Sequence, residues 1–278
     1  MEKLPEPSCF YDLKNRVSLV TGAAGAIGGA ICRKLLQSNS RVFLTDLPGA
    51  ALEELTRQLR ENFGERIMGW PLDVTSEQSV AGGVAAARKH FGRLDIAVIN
   101  AGIAHVASLK EMTLTDFQRL EKVNVEGTLL LLKELAKHFE EQATGGDIVF
   151  ISTKNVFAPG ASFGAYSATK AAGHQLARIA SLELARLDVR VNMVSPDAVF
   201  SDRTRPSGLW QQIGPERMKA RGLDEAGLRE YYRQRNLLKI SVTAEEVANA
   251  VLFFASRQTP TTGATLPVDG GLPEATPR

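Results

Sequence analysis

The sequence predicts an α/β protein, one domain in which a doubly wound parallel sheet of about seven strands carries helices on both faces. Two observations carry that prediction. Short apolar runs alternate with longer amphipathic stretches along nearly the whole chain. The first run also opens into a glycine-rich turn, TGAAGAIGG at 21–29, that leads directly into an apolar helix. With 278 residues and 44% hydrophobic content, the chain can bury one large core.

The first strand, RVSLVTG (16–22), is almost continuously apolar, the mark of a strand covered on both faces. A helix over 27–39 follows the turn, and RVFLTD (41–46) ends in a carboxylate. A helix over 50–62 leads to RIMGWPLDV (66–74), and Thr75 with Gln78 has capping-box spacing ahead of a helix over 76–91. LDIAVIN (94–100) is the fourth strand, and Thr113 with Asp116 opens a long helical pattern over 114–142. DIVFIST (147–153), a helix over 167–187 and VRVNMVS (189–195) continue the alternation. Thr243 with Glu246 caps a further helix, and TLPV (265–268) is the last strand. The rhythm breaks over 197–241, which is rich in charge, tryptophan and tyrosine. Its place after a strand's carboxyl end predicts a substrate lid, with a padded surface elaboration as the alternative.

Composition excludes several partners. Net charge is +2 with no basic tail, so neither nucleic acid nor an anionic membrane is expected. No segment holds 18 uncharged apolar residues, and the first fourteen residues lack a signal-like apolar core. Cys9 and Cys32 are the only cysteines, which fits a reduced, cytoplasmic setting. His90, His105, His138 and His174 show no ligand-like pairing, so no metal is expected.

Gly22, Gly25 and Gly28, with Ala26 and Ile27 between the last two, form a turn that lets backbone N–H groups approach a pyrophosphate at a helix N-terminus. Asp46 ends the second strand, where its carboxylate suits an adenosine ribose diol and repels a 2′-phosphate. That favours NAD over NADP. Asp73 and Val74 fit an adenine edge, and Asn100, Ala101 and Gly102 end the fourth strand with small residues beside a cofactor.

Of the four tyrosines, only Tyr166 has a lysine four residues later, Lys170. On a helix that spacing stacks phenol and ammonium on one face, a candidate base. Ser152 and Thr153, at the end of a strand just upstream, offer a hydroxyl beside it.

TGAAGAIG, Asp73-Val74, Asn100-Ala101-Gly102, Asn124, Ser152-Thr153 and Tyr166 with Lys170 stand in one order, and with them the chain resembles a classical short-chain dehydrogenase/reductase from about residue 13 to VDGG at 268–271. The resemblance implies a Rossmann-type NAD(P)-binding sheet of order 3-2-1-4-5-6-7 and a homo-tetramer or homo-dimer. It implies that Tyr166 is the general acid/base, that Lys170 lowers its pKa and binds the nicotinamide ribose, and that Asn124 helps hold a water leading from Lys170 to solvent. Thr153 stands at the family's serine position, with Ser152 as the alternative hydroxyl. Pro196, Val199 and Ser201 align with the segment that meets the nicotinamide amide, although Asp197 replaces the usual glycine. KNVFAPG, SPDAVF, YYRQRNLLK and VDGGLPEATPR further resemble the dehydrogenase half of proteins that fuse a class II sugar aldolase to such an enzyme.

The expected activity is reversible, NAD-dependent oxidation of a secondary alcohol in a polyol, sugar alcohol, hydroxyaldehyde or sugar derivative. Arg203 and Arg205, with Arg217, Lys219 and Arg221, gather where a phosphorylated or carboxylated substrate would enter, and Asn155 and His105 are further pocket candidates. A 3-oxoacyl or other ketone reductase is the rival within the family, and Asp46 weighs against it. A non-catalytic nucleotide sensor or scaffold is the rival outside enzymology, opposed by intact Tyr166, Lys170 and Asn124.

Overall fold

A computed structural model describes residues 11–201 and 207–275. Its strands lie within the apolar runs: β1 (Val17–Thr21), β2 (Arg41–Asp46), β3 (Ile67–Pro71), β4 (Ile96–Ile99), β5 (Gly146–Ile151), β6 (Val189–Pro196) and β7 (Thr265–Val268). They form one sheet in the order β3-β2-β1-β4-β5-β6-β7, and every pairing is parallel. Parallel neighbours need long crossovers. These are built from α1 (Ala26–Gln37), α2 (Ala50–Phe63), α3 (Glu77–Phe91), α4 (Leu114–Glu121), α5 (Gly127–Gln142) and α6 (Gly164–Glu183), and then α7 (Gly208–Arg221), α8 (Glu225–Gln234) and α9 (Ala244–Ala255) between the last two strands.

Strand side chains alternate between two cores, as the pleat requires. Val20, Val42, Leu44, Val98, Val149 and Val194 pack with α1, α2 and α9 on one face. Leu19, Phe43, Ala97, Phe150 and Met193 pack with α3, α5 and α6 on the other. Because all strands run the same way, the residues after β1, β2, β4, β5 and β6 emerge along one edge of the sheet. The order reverses at β1, between β2 and β4, and a cleft opens there.

Two elements depart from the sequence reading. α3 is capped by Ser76, whose Oγ accepts from the Ser79 N–H at 3.2 Å, and not by Thr75. Thr75 gives both its N–H and its hydroxyl to Asp73 Oδ1, each at 2.8 Å, a charge-assisted pair that turns its side chain to the carboxylate. Thr113 and Thr243 do cap α4 and α9, the latter in a reciprocal box with Glu246. The helical pattern over 114–142 is interrupted by a π-helical turn at Lys122–Glu126. In the wider turn the Asn124 carbonyl accepts from the Thr128 hydroxyl at 2.8 Å, and the Asn124 side chain is buried.

Candidate active site

One end of the cleft is made mostly of backbone. Gly22 has φ +62°, and a Cβ there would stand 2.9 Å from Ala101 Cα. A Cβ on Gly28 would lie 2.1 Å from the Gly22 carbonyl oxygen, so α1 is packed directly onto the turn. The N-terminus of α1 has no side-chain cap and no acidic residue in its first turn, which leaves its N–H groups and positive dipole end for an anion. Asn100 braces this arrangement by donating from Nδ2 to the carbonyls of Thr21 (2.9 Å) and Gly22 (3.0 Å). Asp46 is fixed at the rim, where Oδ2 accepts from Ala24 N–H and Oδ1 from Leu47 N–H, both at 2.8 Å. Gly25, Ala26, Ile27, Asp73, Val74, Ala101 and Gly102 complete this wall.

The middle of the cleft is set by a stripe on α6. Tyr166, Lys170 and His174 recur every four residues, and each engages the end of β5. The Tyr166 phenol faces the Thr153 hydroxyl in the same cleft, near enough for that hydroxyl to act on its pKa. Lys170 Nζ donates to the Ile151 carbonyl at 2.6 Å and lies 4.6 Å from the centre of the Phe150 ring. His174 Nδ1 pairs with Ser152 Oγ at 2.8 Å. Thr153 and not Ser152 is therefore the hydroxyl beside the phenol, although both line the cleft. His174 was not among the sequence candidates. Its spacing of four from Lys170 was the available signal, and burial pushes the imidazole down to about 4, which keeps it neutral.

Burial pushes the Tyr166 phenol up to about 12, opposed only by the polar Thr153 hydroxyl facing it. The depression expected from Lys170 does not appear in this arrangement. Burial pushes the lysine itself down to about 8, and its Nζ is engaged by a carbonyl. Asn124 clamps the loop that ends the wall: Nδ2 donates to the Ile103 carbonyl (2.9 Å) and Thr169 Oγ1 (3.1 Å), and Oδ1 accepts from Ile103 N–H (3.0 Å). A Cβ on Gly102 would lie 3.2 Å from Asn124 Oδ1 and 3.8 Å from Lys170 Nζ, so these three residues meet at one spot.

The far end is made of side chains. Lys154, Asn155, Arg217, Arg221, Tyr231, Tyr232 and Arg235 line it, with Pro196, Asp197 and Val199 at the exit of β6. Asp197 does not disturb the backbone. Its N–H continues the ladder to the Val268 carbonyl at 3.0 Å, and its carboxylate ion-pairs with Arg235, the residue that follows α8, with both side chains largely buried. Three candidates do not join the cleft. His105 turns toward Asp116, 3.9 Å away, Ser201 falls just past the wall, and Lys219 points to solvent on α7. Arg203 and Arg205 lie outside the described residues. No cluster of metal-ligating side chains occurs among the described residues, and none of their helices is long and apolar enough to cross a membrane.

The chain matches the short chain dehydrogenase family over residues 16–212. An uncharacterised oxidoreductase of Bacillus subtilis, YuxG, is 34% identical over 95% of this chain, which spans only 38% of that protein's length. D-threitol dehydrogenase of Mycolicibacterium smegmatis is 31% identical, with 98% of each chain covered. The crystal structure of sorbitol-6-phosphate 2-dehydrogenase from Erwinia amylovora is similar with a TM-score of 0.83 at 27% identity, covering 91% of this chain and 98% of that one.

Proposed function

The chain belongs to the short-chain dehydrogenase/reductase family and is an oxidoreductase of that family, and on that premise we propose that it interconverts a secondary alcohol and its carbonyl with NAD. The alcohol is a small polyol, sugar alcohol, hydroxyaldehyde or sugar derivative, free or phosphorylated. One observation carries this reading: the Thr153 hydroxyl, the Tyr166 phenol and Lys170 line the same cleft as the uncapped glycine turn.

The residues fit a dinucleotide. The α1 N-terminus and Gly25 would hold the pyrophosphate, Asp46 the adenosine ribose, and Gly102 and Val199 would border the nicotinamide. Asp46 and Asp73 stand at the adenosine end with no ion-pair partner among the described residues, which supports NAD over its 2′-phosphorylated form. When bound, the cofactor supplies the hydride acceptor in oxidation and the donor in reduction.

Tyr166 accepts the carbinol proton while Thr153 donates a hydrogen bond to the same oxygen. A phenol at about 12 holds its proton at neutral pH, so the base needs positive charge beside it, from the Lys170 ammonium and from the oxidised nicotinamide ring. Ser152, held by His174, positions the strand end. The threitol and sorbitol-phosphate enzymes among the relatives support a polyol substrate. Leu129 of α5 and Leu182 of α6 are exposed apolar residues that suit a homo-dimer or homo-tetramer, which light scattering would reveal.

The test is Tyr166→Phe assayed for NADH formation on a panel of polyols. A loss of about 10³-fold in kcat with NAD affinity retained is expected. Turnover near that of the wild type would remove the proposed base.

A further inference from the structure

The substrate end of the cleft carries more positive charge than its carboxylates balance. Lys154, Arg217, Arg221 and Arg235 line it, against Asp197 and Glu274. Asp197 is already committed to Arg235. Glu274 is exposed at the rim, on the short turn Pro273–Ala275.

Arg217 is the most deeply buried of the four cations. Its residue is 4% exposed, and its guanidinium lies 4.7 Å from the centre of the Phe163 ring. Nη1 reaches the Ala161 carbonyl at 3.3 Å and Nη2 the Tyr232 hydroxyl at 3.2 Å, while Nε is buried without a partner. Both acceptors are neutral, and no carboxylate among the described residues pairs with it. A guanidinium has five donors, so most of its fork is left for something else. A buried cation held only by neutral oxygens is destabilising, and natural chains retain such a group where a ligand completes it.

Lys154 repeats the pattern. It is buried, its Nζ donates to the Ala158 carbonyl at 2.9 Å, and burial together with Arg235 and Arg217 pushes it down to about 8. Beside it in sequence, Asn155 Oδ1 is buried with no partner. The two cations are near the reacting hydroxyls. Lys154 follows Thr153 directly, and the Phe163 ring that carries Arg217 lies 5.9 Å, centre to centre, from the Tyr166 ring.

We propose that Arg217 and Lys154 form an anion subsite for the terminal phosphate or carboxylate of the substrate, with Asn155 Oδ1 accepting a hydroxyl of the same molecule. The proposal rests on the dehydrogenase reading above and narrows its substrate to an acidic polyol derivative. A cofactor phosphate is not the occupant, because Asp46 and the α1 N-terminus define the dinucleotide's phosphate and ribose positions at the other end. The arginine fork suits a tetrahedral or planar oxyanion, and the lysine adds a point charge.

The experiment compares kcat/KM at saturating NAD for a sugar alcohol, its terminal phosphate ester and the matching aldonate, in the wild type, Arg217→Gln and Lys154→Met. The wild type is expected to favour one anionic substrate over the neutral parent by about 100-fold, and each substitution to cut that ratio by about tenfold or more. Preference for the ester assigns phosphate; preference for the aldonate assigns carboxylate. Equal kcat/KM for charged and neutral substrates in the wild type, or an unchanged ratio in a folded variant, overturns the subsite. Thermal melting shows which variants fold, and Lys154→Met carries the test if Arg217→Gln does not. Turnover of neutral polyols without anion preference sinks the subsite alone, whereas no turnover of any alcohol sinks the dehydrogenase reading with it.

Discussion

The two ends of the cleft are built on opposite plans. At the adenosine end the contacts are backbone amides, glycines and two carboxylates, at or a few residues past strand ends. At the substrate end they are long cationic side chains from α7, from the residue that follows α8 and from the turn after β5, held by aromatic rings, carbonyls and one ion pair. On the proposed reading, the first end would repel an added phosphate and the second would attract an anion. The difference teaches that cofactor choice is written locally, at strand termini, while substrate choice depends on how the segment after β6 folds back over the sheet.

The largest effect is expected where the two ends meet. Thr153→Val removes the hydroxyl beside Tyr166 and keeps its shape, so kcat should fall about 100-fold with cofactor affinity kept. Ser152→Ala should cost less, because Ser152 is turned to His174. A larger loss from Ser152→Ala in initial-rate kinetics would reverse the assignment.

At the adenosine end, Asp46→Asn removes the charge and keeps one of the two oxygen acceptors that hold Ala24 and Leu47. The NAD to NADP ratio of kcat/KM should drop by about 10 to 100-fold, with the substrate's KM much less affected. An unchanged ratio would mean that this end is not electrostatically selective.

At the other end, Asp197→Asn leaves Arg235 without its partner and loosens α8 from β6. Substrate KM should rise about tenfold, and urea denaturation should show about 2–3 kcal/mol of lost stability. A rise in the KM of NAD alone would place Asp197 with the cofactor and break the contrast.

The smallest effect is on stability against pH. Lys154 and Lys170 are pushed from 10.5 down to about 8 by burial. Between about pH 8 and 10 the unfolded chain binds more protons than the folded one, so stability without ligands rises with pH across that window. Tyr166, raised to about 12, acts in the opposite direction only above the ordinary phenol value of 10.0. Urea midpoints should therefore climb between about pH 8 and 9.5, with a shallower slope in Lys154→Met. A falling midpoint would contradict the burial of these ammonium groups.

How much of this was legible in the sequence follows the same division. TGAAGAIGG, Asp46 and Asn100 could be read directly because their work is done by backbone at strand ends, which hydrophobic periodicity locates. Tyr166 and Lys170 could be read from helical spacing. His174 shares that spacing, but its partner Ser152 is 22 residues away and becomes a neighbour only when α6 packs on β5. Arg217 was legible only as one of five cations gathered where substrate would enter, and only the rings of Phe163 and Tyr232 and the turn at Ala161 single it out by burying it. Asp197 looked like a break in a glycine turn. Instead its backbone extends β6, and Arg235, 38 residues on, supplies its partner. The π-helical turn at Lys122–Glu126 left no mark, since the apolar periodicity persists on both sides of it.

The most direct test of the central claim follows the hydrogen. A polyol deuterated at its carbinol carbons is incubated with NAD and the protein, and the reduced nicotinamide is analysed by mass spectrometry. The account predicts deuterium on the nicotinamide ring, with transfer abolished in Tyr166→Phe. Unlabelled NADH, or undiminished transfer in that variant, would contradict it.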